Sequence, residues 1–147
     1  MRRKKRKIAE LKENNSNEDV LLKQIKNASE GLYYTSETDA EIVPFGGKYA
    51  KAVTKEEILR QTENSPDKPI EERNFADIFE RLTKMQDWFG EEETQTAVRL
   101  AGLKELLERN LKELKVFKIG RIELDVYFVG LNTEGVLMGI KTKAVET

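Results

Sequence analysis

The sequence predicts an α+β domain, and three observations carry that reading. Apolar residues recur at steps of three and four between residues 91 and 114. The apolar period then falls to two from Val116 onward, and helical segments precede strands instead of alternating with them. A chain of 147 residues fits one domain, able to bury roughly 70% of its unfolded surface. Apolar residues are 38% and charged ones 36%, the composition of a soluble and rather polar globular chain.

Residues 1–17 form a basic, then polar, segment with too little apolar content to pack, and are predicted as a disordered tail with some helical pattern around Ile8 to Leu11. Residues 1–13 carry seven basic against two acidic side chains, a net of +5, which leaves 19 against 25, or −6, on the remainder. The folded domain is expected over residues 18–147. A first helix follows Asn17, with Glu18 and Asp19 at its positive end and Val20, Leu21, Ile25 and Ala28 on one face, and Gly31 stops it. Leu32 to Glu37 is an aromatic stretch running into an acidic loop. Ile42, Val43 and Phe45 suggest a short strand, broken by Pro44 and ended at Gly46-Gly47.

Thr54-Lys55-Glu56-Glu57 is a capping-box pattern for a short helix to about Thr62. Glu63 to Arg73, punctuated by Pro66 and Pro69, reads as loop. Asn74 caps a helix bearing Phe75, Ile78, Phe79 and Leu82, and a loop to Gly90 holds the single tryptophan, Trp88. The longest predicted helix runs from Glu91 to Leu114, with Glu91, Glu92 and Glu93 at its positive end and Lys104, Arg109, Lys112 and Lys115 toward its negative end. Val116 to Ile119 begins the strands. Ile122, Leu124, Val126 and Phe128 alternate with polar neighbours, Asn132 to Gly135 is a turn, and Val136 to Val145 returns as a strand.

The chain has no Cys and no His, which excludes disulfides, thiolate metal sites, a Cys nucleophile and the commonest general base. No P-loop, dinucleotide turn or nucleophile elbow is present. The balance shifts from enzyme toward binder. No stretch is apolar enough for a membrane span or a secretory signal, so a cytoplasmic location is expected. Glu91 to Glu93 beside Asp87 could attract a divalent cation, but a helix start already explains them. Glu123 and Asp125 share one face of a strand, either a carboxylate pair or the solvent face of a half-covered sheet. Trp88 is either core padding or an interface anchor. Thr147, close behind a strand, would present its oxygens from a rigid support, suited to a hard cation or a basic pocket.

Several segments together resemble the nuclease A inhibitor family. They are Asn27-Ala28-Ser29-Glu30-Gly31-Leu32 with Ser36-Glu37, then Gln86-Asp87-Trp88 followed by acidic residues, and the closing Glu123-Leu124-Asp125-Val126-Tyr127 with Gly130, Gly139-Ile140, Thr142-Lys143 and Val145-Glu146-Thr147. The likeness runs from Val20 to Thr147, is thin between Gly46 and Asn74, and does not reach the basic tail. It implies a three-layer α/β/α sandwich with a mixed, mostly antiparallel sheet. It also implies a non-enzymatic inhibitor, monomeric when free and without a cofactor, that binds the active site of a Mg²⁺-dependent endonuclease acting on DNA and RNA. By the same resemblance Glu37 is an acidic contact, Gln86, Asp87 and Trp88 are central loop contacts, and Thr147 reaches the partner's Mg²⁺. Two other readings stay open. One is a diverged, non-inhibitory module whose basic tail contacts nucleic acid or another anionic partner; the other is a carboxylate hydrolase.

Overall fold

The computed structural model describes residues 20–147; the predicted tail and the Asn17, Glu18 and Asp19 helix start lie outside the described residues. In chain order the elements are helix α1 (20–29), β1 (Tyr33–Thr35), β2 (Asp39–Glu41), β3 (Val43–Tyr49), α2 (Lys55–Gln61), β4 (Ile70–Arg73), α3 (Phe75–Thr83), α4 (Glu91–Asn110), β5 (Lys112–Gly120), β6 (Glu123–Leu131) and β7 (Val136–Val145). The fold is α+β, as predicted. β1 and β2 form a hairpin, and the other five strands form a sheet in the order β3-β7-β6-β5-β4. Its four pairings are all antiparallel, so the sheet is antiparallel as expected in the main but not mixed: every strand of it runs opposite to its neighbours in space.

Alternation along the central strands divides the core between the two faces of the sheet. One cluster joins Leu21 and Ile25 of α1, Phe75, Ile78 and Phe79 of α3, and Leu100, Leu103 and Leu107 of α4 to Val116, Leu124, Val126, Phe128, Met138 and Ile140. Phe128 is its hub, set at steep angles to the rings of Tyr34, Phe75 and Phe79, 5.3 to 6.3 Å away. Each buried ring of this size contributes about 1.5–3 kcal/mol by leaving water. The second cluster packs Ile58 and Leu59 of α2 and Val53 against Phe117, Ile119, Val129, Leu131 and Leu137. α2 leaves part of that face open, so Glu123, Asp125 and Lys143 are exposed, as a half-covered sheet requires. Tyr127 there is half-buried against the Phe45 ring.

The helix ends follow their caps. Thr54 Oγ1 accepts from Glu57 N–H at 3.1 Å, and Asn74 Oδ1 accepts from Asp77 N–H at 2.9 Å. In α2 the Glu57 carboxyl is held below the usual carboxylate range by its bond from Arg60 and then by that from Gln61. Gly31 has φ of +77°, the left-handed conformation that ends α1, and Arg99 of α4 donates to the carbonyls of Ala28 and Glu30 there.

Four local expectations are corrected. The long helix ends at Asn110, not Leu114: Leu111 is extended with ψ of 143°, and β5 begins at Lys112 opposite Leu131. The leucines at 111 and 114 continue the helical spacing of Leu107, and both still pack on the helix-bearing side because the strand is irregular between Lys112 and Lys115, where pairing with β6 takes over. Glu113 has φ of 56° within the irregularity between Lys112 and Lys115. β3 runs through Pro44 and both glycines because it is an edge strand, where the missing proline N–H has no partner to disappoint. At its far end Gln61 takes the role of a neighbouring strand, accepting from Lys48 N–H at 2.8 Å and donating to Lys48 C=O at 3.1 Å. A side chain at Gly47 would meet that same Gln61 oxygen and the Leu137 carbonyl, which explains the glycine. β4 arises within the predicted loop, a short edge strand whose exposed Glu71, Glu72 and Arg73 hide its pattern. The stretch after Leu32 is strand β1 before it becomes the turn to β2.

Candidate functional site

Ser36, Glu37 and Thr38 form the turn between β1 and β2, and this turn is stitched to the end of β7. Ser36 Oγ accepts from Val145 N–H at 3.0 Å, and Glu37 N–H donates to Val145 C=O at 3.2 Å. Beneath the turn, Thr142 Oγ1 donates to the carbonyls of Ala40 and Glu41. The hairpin thereby acts as a bracket for the last strand. Thr147 Oγ1 then donates to Glu37 Oε1 at 2.6 Å, so two residues singled out from the sequence, 110 positions apart, meet at one exposed point.

The other oxygen of Glu37 makes no side-chain hydrogen bond or ion pair to the protein among the described residues. The point therefore offers carboxylate and hydroxyl oxygens together, the ligand chemistry of a hard divalent cation. It is not a metal cage in itself: among the described residues no group of three acidic side chains could hold an ion.

Gln86, Asp87 and Trp88 lie exposed in the loop between α3 and α4. Phe89 N–H donates to Gln86 C=O at 3.0 Å, closing a turn that holds Trp88 outward. Trp88 is 71% exposed, its ring set edge-to-face with that of Phe89, so it is not core padding. Beside it opens a groove of about 610 Å³ whose walls include Tyr33 and Thr35 of β1, Arg81 of α3, and Glu92 and Glu93 of α4. The loop and the Glu37–Thr147 point thus border a common element: β1 lines the groove and leads within two residues to Glu37. No hydrogen bond joins the loop to Glu37 or Thr147 among the described residues, and neither residue lines the groove.

The acidic run Glu91 to Glu93 serves the helix start, with Glu93 Oε2 accepting from Gly90 N–H at 3.1 Å. Glu123 and Asp125 are exposed on the open sheet face. Burial, and then the charge of Asp125, pushes the Tyr127 phenol above its ordinary value.

Two residues escaped the sequence reading. Lys118 is buried on the helix-bearing face of β5, with its ammonium 2.7 Å from the carboxylate of Glu146. Glu146 N–H also donates to Ile122 C=O at 2.9 Å. The signal was a lysine inside Val116-Phe117-Lys118-Ile119, a stretch buried on both faces of the sheet, where a charge needs a partner.

The singled-out side chains lie exposed on three supports, a hairpin, a loop and a strand end. The family model for nuclease A inhibitor-like proteins matches residues 19–147, and the chain belongs to that family. No curated protein matches it.

Proposed function

We propose that the protein inhibits a Mg²⁺-dependent, sugar-non-specific endonuclease by occupying its active site, with Thr147 approaching the catalytic metal. The observation that carries this reading is the Glu37–Thr147 contact, two oxygen-bearing side chains held at one exposed point by the bracketed end of β7. A nuclease active site is a basic cleft holding a cation and shaped for a phosphodiester. Carboxylate and hydroxyl oxygens on a fixed support suit that cation in place of phosphate. The net charge of −6 outside residues 1–13 favours encounter with a basic cleft.

Trp88 adds desolvated contact area, which charge pairs alone supply poorly because their own desolvation cancels much of their attraction. Gln86 and Asp87 supply polar contacts around it. The protein itself turns nothing over, so the absence of His and Cys costs it nothing. A cytoplasmic monomer, guarding its producer against nuclease not yet exported, fits this role.

The test is cleavage of plasmid DNA in Mg²⁺ by a ββα-metal non-specific nuclease, with the intact chain and with a variant lacking Thr147. Inhibition by the intact chain that falls sharply in the truncation is the expected result. Equal potency would refute the metal approach of Thr147, and no inhibition by either would refute the function.

A further inference from the structure

We infer that Lys118 is a positioning residue for the inhibitory end of the chain, resting on the function proposed above. Lys118 as a residue is only 7% exposed, and its ammonium meets the half-exposed carboxylate of Glu146, the residue immediately before Thr147. A buried cation is held only if its partner stays in place, so the pair resists withdrawal of Glu146. The backbone adds a second hold, from Glu146 N–H to Ile122 C=O. Val145 is held on the opposite side by Ser36 and Glu37.

The closing residues are thus gripped from two directions. On one side is the β1–β2 turn; on the other are the start of β6 and the interior of β5. The Glu146 side chain, still 42% exposed, is turned onto Lys118, and Thr147 is turned toward Glu37. Without Lys118 the hairpin contacts to Val145 remain, but nothing polar directs the Glu146 side chain inward. Thr147 would then sample many positions, and each binding event would have to freeze it again. Lys118 touches neither the proposed metal nor the nuclease; it acts through Glu146.

The experiment compares Lys118→Met, Lys118→Arg and Glu146→Gln in the full chain with two readouts. The first is amide hydrogen exchange at Glu146, with Val126 and Ile140 as core references. Lys118→Met and Glu146→Gln should speed exchange at Glu146 by about tenfold and leave the references unchanged. The second is inhibition of the nuclease, which should weaken by about tenfold, chiefly through faster dissociation, and recover in Lys118→Arg.

Unchanged exchange at Glu146 in both weakening variants would overturn the grip, whatever the nuclease assay gives. Faster exchange with unchanged inhibition would overturn the positioning role. If the unaltered protein fails to inhibit, the proposed function falls, and with it the positioning role. Exchange at Glu146 would still decide the grip alone. Lys118→Met removes a buried charge for an apolar chain of similar length, so the fold should persist; unchanged core exchange verifies that.

Discussion

Replacing Trp88 by Ala separates what the residue does for the fold from what it does for a partner. A Trp side chain offers about 200 Å², and at 71% exposure about 140 Å² remains available for burial by a partner. At about 25 cal/mol per Å² that area is worth about 3.5 kcal/mol, which bounds the loss on truncation. A hot-spot tryptophan loses about 2 kcal/mol or more, so inhibition should weaken by about 30- to 300-fold.

The side already buried, about 60 Å², limits the cost to the fold to about 1.5 kcal/mol, or about 3–6 °C in Tm for a domain of this size. Titrating the nuclease with each protein gives the inhibition constant, and calorimetry gives the Tm. A variant that melts lower by this amount and inhibits as well as the parent would refute the role of Trp88. A drop well beyond 6 °C would instead show that the loop supports the core.

Two further outcomes follow from geometry elsewhere. A Cβ at Gly139 would lie 1.9 Å from the carbonyl oxygen of Phe128 on the neighbouring strand, so Gly139→Ala must push β6 and β7 apart. It should cost about 3 kcal/mol or more in denaturant unfolding, and a loss under 1 kcal/mol would mean that the strands separate easily. The raised pKa of Tyr127 makes the neutral phenol the form that the fold prefers. Its contribution to stability is complete below the ordinary tyrosine range and is lost as pH rises through the raised value. Subtracting the ultraviolet titration of Tyr127→Phe should isolate that late ionisation, and Asp125→Asn should bring it earlier; no change would remove Asp125 as a cause.

The central architecture was legible because its side chains obey one period at a time. Leu124, Val126 and Phe128 point to the helices while Glu123 and Asp125 face water, and the sequence shows that alternation directly. The edges were harder. β4 presents Glu71, Glu72 and Arg73 to solvent, since an edge strand on a partly open face needs little apolar content. Leu111 and Leu114 carry on the helical spacing, and only an irregularity in β5 that the sequence does not announce lets them share a face in a strand paired with β6.

At the candidate site, the types and order of Glu37, Gln86-Asp87-Trp88 and Thr147 were readable through resemblance. Their spatial relation was not, because it depends on how the hairpin turn is bracketed to a strand most of the chain away. Lys118 was passed over, although a lone charge in an apolar strand run could have marked it, and its partner Glu146 follows only from the fold.

The position of β7 has a consequence for how the chain acquires its shape. β7 lies between β6 and β3, and β3 has no other strand partner among the described residues: Val43 waits for Lys141, and Phe45 for Gly139. During synthesis the hairpin of β5 and β6 can form locally, but β3 stays an unpaired edge until nearly all of the described chain has emerged. Long-range closure of this kind makes folding slow compared with that of helical bundles. The same insertion that completes the sheet also brings Val145 to Ser36 and Thr147 to Glu37. A shortened chain lacking β7 would therefore leave β3 without its sheet partner and lose the Glu37–Thr147 point in one step.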